Sequence, residues 1–166
     1  MTLGTVEPRK NLETILTAVD KLPPDVGLVV IGGPRSESDA KTVQQRRPNT
    51  KFLGYVPDER LPQVFACAAA FISASHAEGF GLPVLEAMRL GTPVVCSEIP
   101  AHKEVAGQSA LYFFPNDSHG ACNALMDLLD NHELASVLRV QGMERASEFT
   151  WSRTAGLTVQ AFEGAG

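Results

Sequence analysis

The chain has 166 residues, 44% of them hydrophobic and 20% charged, and carries a formal net charge of −5. That is enough chain for one sizeable core with the make-up of an ordinary globular domain. Lys and Arg are scattered, the pair Arg46-Arg47 is too short for a nucleic-acid patch, and no apolar run approaches the ~20 residues of a membrane span. A nucleic-acid partner is therefore excluded. The first residues show no basic start followed by an apolar stretch, so no signal peptide is read and the expected location is cytoplasmic. Peripheral contact with the inner membrane face, through a further domain, stays open.

Short β-rich runs alternate with helical spacings along the chain. The strand candidates are residues 1–5, 28–31, 50–53, 70–73, 93–96 and 110–113. Several are apolar nearly throughout, as suits strands covered on both faces. Between them, Leu12, Ile15, Leu16 and Val19 recur at helical spacing, then Leu61, Val64, Phe65 and Ala68, then Val84, Leu85 and Met88. Such alternation predicts right-handed crossovers and an open parallel sheet, hence a doubly wound α/β domain. From Ser118 onward helices follow one another, with breaks near Asn131 and at Thr150-Trp151. No repeat, low-complexity tract or linker divides the chain, so residues 1–166 are expected to form a single domain.

In such sheets ligands bind beyond the carboxyl ends of the strands, where loops lead into helix N-termini. Those loops begin at Gly4-Thr5-Val6-Glu7-Pro8-Arg9-Lys10-Asn11, Gly32-Gly33-Pro34, Gly54-Tyr55-Val56-Pro57, Ser75-His76-Ala77-Glu78 and Ser97-Glu98-Ile99-Pro100. The most informative stretch is Glu78-Gly-Phe-Gly-Leu-Pro-Val-Leu-Glu86. Gly79 and Gly81 permit a tight loop, and Pro83 fits the first position of a helix. The amides of Phe80, Gly81 and Leu82 would then meet an anion or sugar hydroxyl, with the helix dipole behind them. Glu86, one turn further, accepts from vicinal hydroxyls, and Glu78 can reach a second polyol. Two solvated or capping glutamates on a glycine-rich turn are the bland alternative. Arg9 and Lys10 open the first helix, where cations are poorly placed unless an anion joins them; a fork and a point charge together suit a diphosphate.

These residues carry a resemblance. The Glu-x7-Glu string, preceded by G-T-V-E-P-R-K-N and followed by G-T-P-V-V, resembles glycosyltransferase family 4, retaining enzymes of the GT-B fold with two facing Rossmann-like domains. The segments L-G-Y-V-P, H-K-E-V-A-G-Q-S-A-L-Y-F-F-P-N-D and E-F-T-W-S-R-T are similar too, so the likeness covers nearly the whole chain. It implies that this is the C-terminal, donor-binding half, with residues from about 150 crossing back toward an N-terminal acceptor domain that this sequence does not contain. Carried over by position, Glu78 would contact the donor sugar beside the Phe80, Gly81 and Leu82 amides. Lys10 and Arg9 would hold the diphosphate, with Gly4 opening their loop. Glu86 would hold the ribose, Tyr55 and Val56 would meet the base, and Leu61 and Val84 would pack near base or ribose. Many members have Arg where this chain has Thr5, which puts Arg9 forward as the substitute cation. The wording of the first loop is similar to that of mannosyl transferases, making GDP-mannose the leading donor and a glycan or lipid-linked molecule the acceptor. No metal or other cofactor is expected.

Three other readings bear on the same residues. An epimerase or phosphorylase of the same architecture generally lacks the Glu-x7-Glu string. A redox dinucleotide domain would need a G-x-G-x-x-G and a later acidic residue that the first turn lacks. A nucleotide-sensing module without catalysis is a third reading. Cys67, Cys96 and Cys122 are far apart, without C-x-x-C, and read as buried structural thiols. His76, His102, His119 and His132 show no ligand-like spacing, and Trp151 reads as a packing anchor for the last helix. Because Lys10 and Glu78 lie on different loops, their effects on binding are expected to be roughly additive.

Overall fold

The structure, a computed structural model, describes residues 1–4, 7–33, 43 and 47–164. Thr5, Val6, Pro34 and Arg46, named above, lie outside the described residues. Strand β1 (Thr2–Leu3) pairs in parallel with β2 (Leu28–Ile31), which pairs in parallel with β3 (Thr50–Gly54). A second parallel set runs β4 (Phe71–Ser73), β5 (Val94–Ser97), β6 (Ala110–Phe113). Two hydrogen bonds join the sets: the Met1 amino group donates to Ala70 O at 2.7 Å, and Ile72 N–H donates to Met1 O at 2.8 Å. The strands therefore lie side by side in the order 3-2-1-4-5-6, with the order reversing between β1 and β4. In a doubly wound sheet that reversal opens the ligand crevice.

Pleat alternation divides the core. Ile72 and Val95 face one cluster with Val30, where α1 (Leu12–Val19) and α5 (Ser118–Asp130) contribute Ile15, Leu16 and Leu125. Their neighbours Phe71, Val94 and Cys96 face the other cluster. There they meet Phe65 of α2 (Leu61–Ala66), Val84 and Met88 of α3 (Leu82–Arg89), and Val105 of α4 (Pro100–Ala106). All four residues of β5 are buried, which explains the apolar run Val94-Val95-Cys96. The chain ends with α6 (His132–Ser147) and α7 (Trp151–Glu163). The expected breaks at Asn131 and Thr150 are N-caps: their side chains accept from Leu134 N–H at 2.9 Å and Arg153 N–H at 3.2 Å, satisfying orphan first-turn donors. Among the described residues no helix is long and apolar enough to cross a membrane.

Two expectations are corrected here. Trp151 is 86% exposed and α7 buries no residue, so the tryptophan anchors nothing on this body. Cys67 is exposed, whereas Cys96 and Cys122 are buried. Helix α4 follows the Ser97–Pro100 loop, and its apolar spacing is interrupted by a histidine, His102, at a core position.

Asn11 ties the site-bearing loop to the sheet. It adopts the left-handed conformation (φ 52°) between a 3-10 turn, Pro8–Lys10, and α1. Its amide donates to Ala74 O at 3.1 Å, beyond β4, and to Pro115 O at 2.6 Å, beyond β6, while its oxygen accepts from Thr14 Oγ1 at 2.9 Å. Asn11→Gly keeps the backbone relaxed and should cost about 1–2 kcal/mol in urea unfolding through the lost amide bonds. Asn11→Ala should cost roughly 1 kcal/mol more, the strain of the left-handed residue.

Candidate functional site

The reversal point between β1 and β4 places the first loop against the fourth. His76 N–H donates to Arg9 O at 2.9 Å, zipping the two loops together. Gly4 has φ 145°, and a Cβ there would stand 3.4 Å from Lys10 Cε, so the missing side chain leaves room for Lys10 to cross to the fourth loop. Arg9 and Lys10 lie in the Pro8–Lys10 turn that precedes α1, not in its first turn.

All three residues expected to carry the chemistry converge on one carboxylate. Glu78 Oε1 accepts from Lys10 Nζ at 2.7 Å and from Ser75 Oγ at 2.6 Å, and Oε2 accepts from Arg9 Nη1 at 2.7 Å. Arg9 Nη1 also donates to Ala77 O at 2.9 Å, and its Nη2 lies 3.5 Å from Glu7 Oε2. The Glu78 side chain is 9% exposed, Lys10 19% and Arg9 44%. Burial alone would push the Glu78 carboxyl up; hydrogen bonds from Lys10, Ser75 and Arg9 and the charge of Lys10 hold it below the usual value, so it is ionised at neutral pH. The expectation that Glu78 and the cations act independently is corrected by this contact: residues sharing one ion cluster couple.

Behind Glu78, Gly81 (φ 97°) opens α3 with no side-chain hydrogen bond capping it. The N–H groups of Phe80, Gly81 and Leu82 have no backbone partner among the described residues, as the start of a helix dictates. Pro83 is the second helical residue, Leu82 the first. Glu86 is exposed on α3; burial of its carboxyl, then the nearby charge of Asp58, raise its pKa. Tyr55 is 83% exposed and Val56 partly exposed beyond β3, while Leu61 is half-buried against the core. Val84 departs from its expected place. At 1% exposure it packs in the core beneath the loop and offers a ligand no surface.

One supporting residue had no sequence signal. His102 is buried to 1% exposure, and its Nδ1 meets Ser97 O at 2.9 Å and Ser97 Oγ at 3.2 Å. A carbonyl only accepts, so Nδ1 carries the proton, leaving Nε2 as acceptor toward Ser73 Oγ, 3.5 Å away. Ser97 Oγ donates in turn to Ser75 O at 2.6 Å, and Ser75 Oγ to Glu78. A hydrogen-bonded chain thus runs from the buried imidazole to the ion cluster. A histidine among apolar residues shows no periodicity that sets it apart from an exposed one.

This architecture is that of a Rossmann-like half of a GT-B glycosyltransferase. Residues 1–145 match the family of glycosyl transferases group 1, and the chain belongs to it. Over 97% of its length it is 35% identical to O-antigen chain mannosyltransferase B of Escherichia coli, of which it spans 44%. Sucrose-phosphate synthase from Thermosynechococcus elongatus superposes with a TM-score of 0.84 at 26% identity, over 99% of this chain and 45% of that one. HepE from Anabaena, solved in complex with UDP, gives 0.83 at 20% identity, over 99% and 48%. The chain thus spans about half the length of these proteins.

Burial lowers the pKa of His102; its bond to the Ser97 carbonyl and the charge of Glu78 oppose the fall, and the charge of Lys10 adds to it. The unfolded chain therefore binds the extra proton more readily, and this contribution to stability is present above the ordinary histidine pKa and lost as pH falls through it. Unfolding free energy should fall more steeply between about pH 7 and about pH 5 in the natural chain than in His102→Gln. Parallel pH profiles would show that the imidazole is not buried neutral.

Proposed function

We propose that the chain is the donor-binding half of a retaining hexosyltransferase and takes a nucleoside-diphosphate sugar. The observation that carries this reading is the Lys10–Glu78–Arg9 cluster at the sheet's reversal point, next to the uncapped start of α3. Two cations suit a diphosphate, and they supply the charge that steadies a departing diphosphate without a metal ion. Glu78 and the Phe80–Leu82 amides hold the sugar; Glu86 takes the ribose hydroxyls; Tyr55 and Val56 take the base. The acceptor, a glycan or a lipid-linked molecule, belongs to a facing domain.

GDP-mannose is the favoured donor. The first loop's likeness to mannosyl transferases supports it, as does the relative from Escherichia coli, whose name gives mannose as the transferred sugar. The UDP in complex with HepE supports a nucleotide-bearing ligand and leaves the base to experiment.

Calorimetric titration with GDP, UDP and ADP should give binding with GDP preferred, and the chain alone should transfer no sugar. Glu86→Ala should weaken nucleotide binding by about 1.5–3 kcal/mol, the range for bonds to a charged group, with little change in melting temperature because the side chain is exposed. Failure of all three nucleotides to bind the natural chain contradicts the reading.

A further inference from the structure

Phe80 stands between Gly79 and Gly81, the two most permissive residues in the loop. A Cβ on Gly79 would meet nothing within 4 Å, and Gly81 has a left-handed φ of 97°. Such a segment loses much freedom when its amides are held in one orientation. Something outside the loop must hold it.

Phe80 is 41% exposed, yet its ring meets Phe149 edge to face, with centroids 5.9 Å apart and planes at 76°. Phe149 is itself held: its N–H donates to Ala146 O at 3.2 Å, and Arg145 lies over its ring with Cζ 4.9 Å from the centroid. Arg145 is fixed in turn by Nε to Val105 O at 3.1 Å, Nη2 to Glu104 O at 2.6 Å and Nη1 to Glu148 Oε2 at 2.6 Å. The two carbonyls belong to the last turn of α4, whose terminal acceptors welcome a cation. The same helix carries His102, whose Cδ2 would stand 3.5 Å from a Cβ on Gly81. The loop therefore rests on α4 twice, under Gly81 through His102 and beside Phe80 through Arg145 and Phe149.

We propose that Phe149 is a positioning residue for the donor sugar: by holding the Phe80 ring it keeps the amides of residues 80–82 aimed at the sugar. This deepens the reading of the site given above and rests on it. The cations that take the diphosphate hang on the other loop and are held by Glu78, so Phe149 acts on the sugar-bearing ligand and leaves the bare diphosphate alone.

Phe149→Leu keeps apolar volume and removes the ring. In calorimetric titrations it should bind GDP as the natural chain does and GDP-mannose about three- to tenfold more weakly, the size of an aromatic-pair contact. Phe149→Tyr, which keeps the ring, should restore the affinity. Phe80→Leu should give the same selective loss, and serves if Phe149→Leu does not fold. Equal loss for both ligands, or none for GDP-mannose, overturns the proposal. A ligand-free measurement separates this inference from the reading beneath it: the fluorine NMR signal of fluorophenylalanine at position 80 should shift toward its unfolded value in Phe149→Leu. An unchanged signal overturns the positioning role whatever the chain binds, and a shifted signal in a chain that binds no nucleotide upholds the contact while removing the donor site.

Discussion

A carboxylate taken out of water must be paired, or it destabilises whatever surrounds it. Glu78 meets that requirement by drawing Lys10 and Arg9, 68 and 69 residues away in sequence, onto its two oxygens. Neither loop can move without breaking a charge-assisted bond. The pairing is possible only because β1 and β4 are neighbours while the helices that follow them lie on opposite faces, so their loops part and face each other across the reversal point. The two cations are thereby paired with Glu78 across the crevice. On the proposed reading a diphosphate competes with Glu78 for them, and a released Glu78 is left beside the sugar it is proposed to hold.

A second layer supports that pairing from beneath. Ser75, Ser97 and His102 link the Glu78 carboxylate to β5 and α4 through hydrogen bonds, and the His102 ring lies within van der Waals reach of position 81, where the left-handed φ of 97° favours a glycine. Arg145 and Phe149 extend the support from the same helix to Phe80. The precision of a loop rich in glycine is set by what it rests on.

Much of this was readable in advance where the signal is local. The strand positions came within a residue or two of those observed, because β2, β5 and β6 are short buried runs bounded by turn residues. The breaks at Asn131 and Thr150 were legible because capping is a property of one side chain and the amides just after it. Lys10, Arg9 and Glu78 stand out by residue type at loop positions and by family resemblance, and the structure brings those three together. What could not be read was direction and long-range pairing. The family resemblance puts Val84, inside the motif, near base or ribose, but helical geometry turns it into the core. His102 has no ligand-like spacing in the sequence because its partners, Ser97 and Ser73, meet it only through the fold. Lys10 and Glu78 looked independent for the same reason: sequence separation hides a contact made by strand order.

The most direct test is a double-mutant cycle on Lys10 and Glu78, read as calorimetric affinity for a bare nucleoside diphosphate. If Glu78 is the resident counter-ion of the cations, Glu78→Gln should tighten diphosphate binding in the natural background and do so much less in Lys10→Ala. The coupling should reach about 1 kcal/mol or more, within the range for residues in direct contact. Effects that add to within about 0.5 kcal/mol, the behaviour of distant sites, would contradict a shared ion cluster as the organising contact of the site.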